Sequence, residues 1–210
     1  MISKLRNSIA PLQGILAWPF IKLKISPNTI SVLGLVLALI GAYFVSQQQW
    51  LIAFVFFVLA PIMDFIDGKV ARTLKMVSNW GNYFETMIDK FVDFAMLGSF
   101  VFVPGLEIPA LLALGFSMLS SYAKPRVALI IITDNRDWPA IGEHADKLVL
   151  VLVALLLAAI NFNYINYFLY IIIIISAVGT LQRMLYAKKL IGEAEKKGTL
   201  LPYIKKRKER

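Results

Sequence analysis

The sequence predicts an all-α integral membrane protein: six transmembrane helices preceded by an N-terminal interfacial helix, both termini cytoplasmic. Three observations predict it. The 210-residue chain is 59% hydrophobic and only 17% charged, with a mean hydropathy of +0.70, whereas a soluble domain carries about 25% charged residues. Its apolar residues come in runs long enough to cross roughly 30 Å of hydrocarbon as a helix. And all 22 Lys and Arg fall in four stretches: the N-terminal arm, 69–90, 124–147, and from Arg183 onward. A soluble helical domain gives no reason for such segregation.

Residues 1–25 read as an interfacial juxtamembrane arm. Ile2, Leu5, Ile9 and Leu12 are interspersed with Lys4, Arg6 and Asn7, and Trp18, Phe20, Lys22 and Lys24 follow as headgroup-depth anchors. The plainer alternative is an ordinary positive flank. Prolines at 11 and 19 interrupt the arm, unlike the apolar core of a cleavable signal.

The first span is expected over about 29–45, opened by Ser26-Pro27-Asn28, with Asn28 as the cap and Pro27 marking the break. The second runs from about 51 to the Asp64 region. The third covers about 83–103, the fourth 109–131, the fifth 147–160 and the sixth 164–185. The connections at 46–50, 104–108 and 161–164 contain no Lys or Arg. The positive-inside bias with an even span count therefore puts both ends in the cytoplasm. Residues 26–190 form one membrane domain, and 191–210 a basic cytoplasmic tail. Its Lys205-Lys206-Arg207-Lys208 suits anionic lipid or a topology signal.

The net charge of +9 does not imply nucleic acid, because the basic residues cap apolar runs and no nucleic-acid motif accompanies them. The absence of cysteine excludes a disulfide framework or thiolate site.

Chemistry concentrates at 64–93, DFIDGKVARTLKMVSNWGNYFETMIDKFVD. Asp64 and Asp67 share a helical face, as do Glu85, Asp89 and Asp93. Five carboxylates beside hydrocarbon require a cavity, a partner or a metal. Carboxylate oxygens without thiolates or paired imidazoles favour Mg²⁺, Mn²⁺ or Ca²⁺ over zinc, and two such ions can share a cluster in phosphoryl transfer. The alternative is ion pairing to Lys69, Arg72 and Lys90. Gly68 and Ala71 form a small face for close approach, by substrate or by a neighbouring helix. Arg72 at the mouth can pair with phosphate or snorkel.

This stretch resembles the signature of CDP-alcohol phosphatidyltransferases. Asp64, Asp67, Gly68, Ala71, Arg72, Gly81 and Asp89 match its residues at its spacing, and Glu85 stands where the family usually has Asp. Ser-Pro-Asn-Thr-Ile-Ser at 26–31 is also family-like. The resemblance implies an enzyme in which an alcohol hydroxyl displaces CMP from a CDP-linked lipid, at a site opening to the cytoplasm. It implies that Asp64, Asp67, Glu85 and Asp89 hold Mg²⁺ or Mn²⁺, two ions in all. It also implies that Asp64, Gly68, Ala71 and Arg72 bind the CDP moiety, and that Asp89 is the general base. Membrane lipids and a second copy of the chain are the implied partners. Gly34 and Gly41 permit close helix packing without demonstrating a dimer.

A second polar island, SYAKPRV at 121–127 and GEHADKL at 142–148, resembles basic segments of phosphatidylinositol phosphate synthase-like members. Lys124 and Arg126 match. Lys147 replaces an Arg, while His144 stands in place of Arg and Pro125 in place of Ala. Pro125 is expected to kink the fourth helix and open a cavity lined by the two cations. With Lys90, these residues are the expected contacts of a phosphorylated acceptor; topology charge and lipid contact remain the alternative for Lys124 and Arg126. Inositol 1-phosphate leads as acceptor, with glycerol 3-phosphate the runner-up. A divalent-cation transporter would need a polar route to the outer face, for which spans one, two and six offer almost no residues.

Cysteines introduced at positions 136 and 210 are expected to label only after permeabilisation, and one at Gln48 in intact cells. External labelling at 136 would overturn the six-span topology.

Overall fold

The computed structural model describes residues 2–133, 138 and 141–201, with side chains from Pro11 onward. The alternating Ile2, Leu5 and Ile9 side chains, Arg136 and the 205–208 cluster lie outside the described residues. Every described element is helical: α1 (Ile2–Lys22), α2 (Pro27–Ser46), α3 (Trp50–Thr73), α4 (Asn79–Gly98) with a 3₁₀ turn (Ser99–Phe102), α5 (Glu107–Ala128), α6 (His144–Ala158) and α7 (Asn163–Lys197). Among the described residues, α2, α3 and α7 are long and apolar enough to cross a membrane. The chain divides into two compact units, Met1–Gly105 and Leu106–Arg210.

In the first unit, α2 is the hub, packing against α3, α4 and the 3₁₀ turn, while α1 lies along α3. Ser26, not Asn28, caps α2: its hydroxyl accepts the Thr29 amide at 3.2 Å. Proline explains the difference. Lacking an N–H, Pro27 fits the first helical position, so the cap must precede it. Asn28 is left inside the first turn.

The α2–α3 contact is set by glycine. A Cβ on Gly34 would lie 3.1 Å from both the Ala60 carbonyl and the Met63 Cβ, and one on Gly41 would collide with the Phe57 ring. These two glycines therefore serve packing within the unit. Ala17 of α1 joins Ile30, Ile66 and Val70 in a buried cluster flanked by Phe20 and Ile62, and the Gln13 amide donates to the Phe65 carbonyl. The opposite face of α1 exposes Ile15 and Trp18, with Lys22 Nζ 5.0 Å above the Trp18 ring. Apolar bulk, an aromatic ring and a cation on one face suit a bilayer interface.

In the second unit, α7 packs against α5 and α6. It runs well past 185, where apolar character fades, because Ala, Leu, Lys and Glu sustain a helix after they cease to sustain a membrane span. Tyr186, Leu190, Ile191 and Ala194 pack with Val127, Ile131 and Trp138, and Gly198 ends the helix at φ +65°. The helix α5 continues through Pro125 and stops three residues later at Ala128. Before α6, the chain passes closely over Gly179 of α7, where an added Cβ would collide with the Ile141 carbonyl. The Gln182 side chain accepts the Ile141 amide there at 3.0 Å. A reciprocal Glu143–Asp146 capping box then starts α6.

Gly41→Val should lower the melting temperature of the detergent-solubilised protein by an amount corresponding to about 1–3 kcal/mol, the usual range for overpacking. Gly115→Val, at an open position on α5, serves as the control. An unshifted Gly41→Val would contradict the tight α2–α3 contact.

Candidate active site

Two helices carry the acidic motif, and their short connection turns them toward each other. Asp64, Asp67, Gly68, Ala71 and Arg72 occupy the last turns of α3; Gly81, Glu85 and Asp89 lie on α4. Between them, Met76 N–H bonds back to the Ala71 carbonyl at 2.9 Å and Lys75 adopts φ +57°, closing α3 with a left-handed turn. Ser78 then caps α4 by accepting the Gly81 amide at 3.0 Å.

Asp64, Asp67 and Glu85 each offer a carboxylate oxygen within 4.8 Å of the others, and the Asp64 side chain also meets that of Asp89. Asp67 is 2% exposed. Its Oδ2 accepts the Ser31 hydroxyl at 2.5 Å, while its Oδ1 is buried without a hydrogen-bond partner. An orphaned buried carboxylate oxygen among three further carboxylates fits a hard divalent cation bound through oxygen.

A cavity of about 510 Å³ opens beside the cluster. Its walls are Pro27, Asn28 and Ser31 of α2, Asp67, Gly68, Ala71 and Arg72 of α3, Met76 to Ser78, and Asn79, Gly81, Asn82 and Glu85 of α4. The first turn of α2 thus faces this space, and the positive end of its helix dipole favours an anion there. The Arg72 guanidinium lies over Gly68, 3.3 Å from where a Cβ would stand. Gly68 therefore leaves room for its own helix's arginine as well as for a ligand.

Asp93 belongs elsewhere. Although it continues the Glu85–Asp89 face, it is buried and paired with Lys90, Nζ to Oδ2 at 2.8 Å. That ion pair also engages Lys90, expected from the sequence to touch the acceptor.

In the second unit, Lys124 and Arg126 do not converge. Two residues apart on a helix is about 200° of rotation. Lys124 is half-buried, with Arg183 and Glu143 as its charged neighbours. Arg126 is exposed and lines an apolar groove of about 430 Å³ with Leu119, Tyr122, Met184 and Lys188. Lys147 is 3% exposed and donates to the Ser117 hydroxyl at 2.6 Å. Sequence reasoning took Arg183 for a topology charge. It is 6% exposed, its Nη1 donates to the Ser120 carbonyl at 2.7 Å and to the Ser120 hydroxyl, and its Nε is buried without a partner. The signal was available: an arginine followed by Met184 and Leu185 interrupts an apolar helix before its polar end. Ser31 and Asn28 were also missed as site residues; both lie in the Ser-Pro-Asn-Thr-Ile-Ser stretch.

Comparisons with known proteins identify the family and the fold. The chain is 27% identical over 195 residues to the archaetidylinositol phosphate synthase of Pyrococcus horikoshii, covering 90% of this chain and 97% of that one. The fold matches the crystal structure of the Mycobacterium tuberculosis phosphatidylinositol phosphate synthase with CDP-DAG bound: TM-score 0.74, 18% identity, 84% of this chain and 94% of that one. The same enzyme in complex with manganese and citrate matches at TM-score 0.73 and 17% identity, covering 83% and 88%. Helices of membrane-spanning length and this shared fold make the chain a multi-pass membrane protein. The family model for CDP-alcohol phosphatidyltransferases covers residues 24–140, more than half of the chain and all of the acidic motif, so the chain belongs to the CDP-alcohol phosphatidyltransferase family and is an enzyme of phosphatidyl transfer.

Proposed function

We propose that this enzyme transfers the phosphatidyl-type group of a CDP-linked lipid, diacylglycerol- or archaeol-based, to inositol 1-phosphate and releases CMP. The convergence of Asp64, Asp67 and Glu85 to within 4.8 Å, with Asp89 against Asp64, beside a cavity walled by Gly68, Ala71 and Arg72, carries this reading. In it, the acceptor hydroxyl oxygen attacks the phosphorus next to the lipid. A new P–O bond forms, the bond to the CMP oxygen breaks, and the hydroxyl proton passes to the Asp89 carboxylate. Asp64, Asp67, Glu85 and Asp89 would hold Mg²⁺ or Mn²⁺, two ions in all. When bound, such ions neutralise pyrophosphate charge and stabilise the leaving group. The CDP moiety lies along Asp64, Gly68 and Ala71, and Arg72 pairs with its phosphates through a guanidinium suited to bidentate contact.

The name of the Pyrococcus relative and the cations of the second unit support a phosphorylated acceptor. Lys124 is the leading contact, since it is half-buried, with the cation Arg183 and the acid Glu143 as its charged neighbours. Lys147 and Lys90, already bonded to Ser117 and Asp93, lend field and position. Arg126, on the groove face, is the test of whether α5 turns one side or both toward substrate. Six spans, cytoplasmic termini, a cytoplasmic active site and a homodimer complete the proposal, with 1–25 as interfacial arm, 26–190 as catalytic domain and 191–210 as basic tail. The absence of Lys and Arg from the connections at 46–50, 104–108 and 161–164 supports the orientation.

Purified protein, CDP-lipid and a panel of acceptors test this by CMP release. Asp64→Asn, Asp67→Asn and Asp89→Asn are expected to reduce transfer to near background with membrane insertion intact, whereas Glu85→Asp keeps measurable activity. Wild-type turnover of free inositol over inositol 1-phosphate would refute the phosphorylated acceptor, and preference for glycerol 3-phosphate would refute inositol.

Lys124→Ala should raise the KM for the acceptor about tenfold or more, the cost of a charge-assisted contact, with a smaller effect on CDP-lipid. At the same ionic strength, Arg126→Ala reads the groove face. A comparable rise places it with Lys124 at the acceptor, and a rise below about twofold assigns it to lipid contact.

A further inference from the structure

We propose that Ser31 is a positioning residue for the divalent-ion site, its hydroxyl fixing the Asp67 carboxylate so that one oxygen is presented to the ion. The inference rests on the proposed ion-binding role of the acidic cluster and assigns a part to a residue outside it.

Ser31 is 6% exposed and Asp67 2%. The Ser31 Oγ lies 2.5 Å from Asp67 Oδ2 and 3.2 Å from the Pro27 carbonyl. A hydroxyl has one hydrogen, and the charged, nearer acceptor takes it. That bond occupies Oδ2 and restrains rotation about the carboxylate's own axis. The other oxygen, Oδ1, is buried with no hydrogen-bond partner, on the residue that stands within 4.8 Å of Asp64 and Glu85 oxygens. Partnered on one oxygen and open on the other, a carboxylate is prepared to bind an ion through a single atom in a fixed direction. Outer contacts of this kind set ligand orientation, and their loss commonly weakens metal affinity by about 10–100-fold.

Two short side chains on different helices can meet only if the backbones approach closely. Pro27 and the Ser26 cap fix where α2 begins, and thus which residue faces Asp67. Gly34, three residues beyond Ser31, lets α2 rest on Ala60 and Met63 of α3. The bond is therefore a consequence of helix register and glycine contact. If Ser31 served only to satisfy a buried carboxylate and join α2 to α3, its removal would alter stability and leave metal dependence unchanged.

The test is Mn²⁺ binding to the full-length, detergent-purified protein, followed by the loss of the free-ion electron paramagnetic resonance signal, alongside Mn²⁺ activation of CMP release. Ser31→Ala is expected to weaken Mn²⁺ binding about 10–100-fold and to shift half-activation by the same factor, with kcat at saturating Mn²⁺ within about threefold of wild type. Ser31→Thr, which keeps the hydroxyl, should bind within about threefold of wild type. Ser31→Gly removes the hydroxyl as well and replaces Ser31→Ala should that variant not fold. Unchanged affinity in a folded hydroxyl-free variant overturns the proposal. So does a loss of kcat without a shift in metal dependence, or a threonine variant as weak as alanine. Wild-type protein that binds no Mn²⁺ would instead defeat the ion-site reading itself.

Discussion

A buried carboxylate is tolerable only where something answers its charge, and the first unit is organised around that requirement at Asp67. One oxygen is answered by Ser31 across the α2–α3 contact; the other is left to whatever enters beside Asp64 and Glu85. The close contact depends on Gly34 and Gly41, whose missing side chains let α2 settle onto α3. It depends equally on a cap at Ser26 and a proline at the first helical position, which set the register of α2. The same register turns Pro27 and Asn28 into the cavity. Packing and hydrogen bonding are thus one arrangement here: the glycines that let α2 rest on α3 also bring Ser31 against Asp67.

The second unit meets the same physical demand with the opposite sign. Lys147 and Arg183 are almost wholly buried, and serines of α5 supply their oxygen partners: Ser117 for Lys147, Ser120 for Arg183. Serine is small enough to sit at a helix contact and polar enough to accept from a cation, a combination that recurs among packed membrane helices. Glu143, placed by the capping box that starts α6, is an acid near Arg183.

Much was legible in the chain because it follows from local rules. Apolar run length announces helices long and apolar enough to cross a bilayer. Spacing of Asp64 and Asp67, and of Glu85 and Asp89, places each pair on one helical face, and α3 and α4 bring them together. The third member of the second row, Asp93, obeys the same spacing yet leaves the cluster, because Lys90 lies within reach as an ion-pair partner. Local rules also overreached at Asn28, where cap preference pointed to the wrong residue, and at α7, where hydropathy ends well before the helix.

What the sequence determined by itself was which residues carry charge, how often they recur along a helix, and therefore the class of chemistry. What only the tertiary structure decided was which helix faces which. Ser31 is an ordinary serine until α2 lies on α3, and Arg183 is one more cation near a membrane end until α7 packs beside Ser120. Lys124 and Arg126 read as a pair along the chain but point to different surfaces, since a helix turns about 200° between them. Periodicity fixes the face of a helix in that helix's own frame; rotation against its neighbours is set by side-chain volume at the contacts, and no pattern along a single segment encodes it.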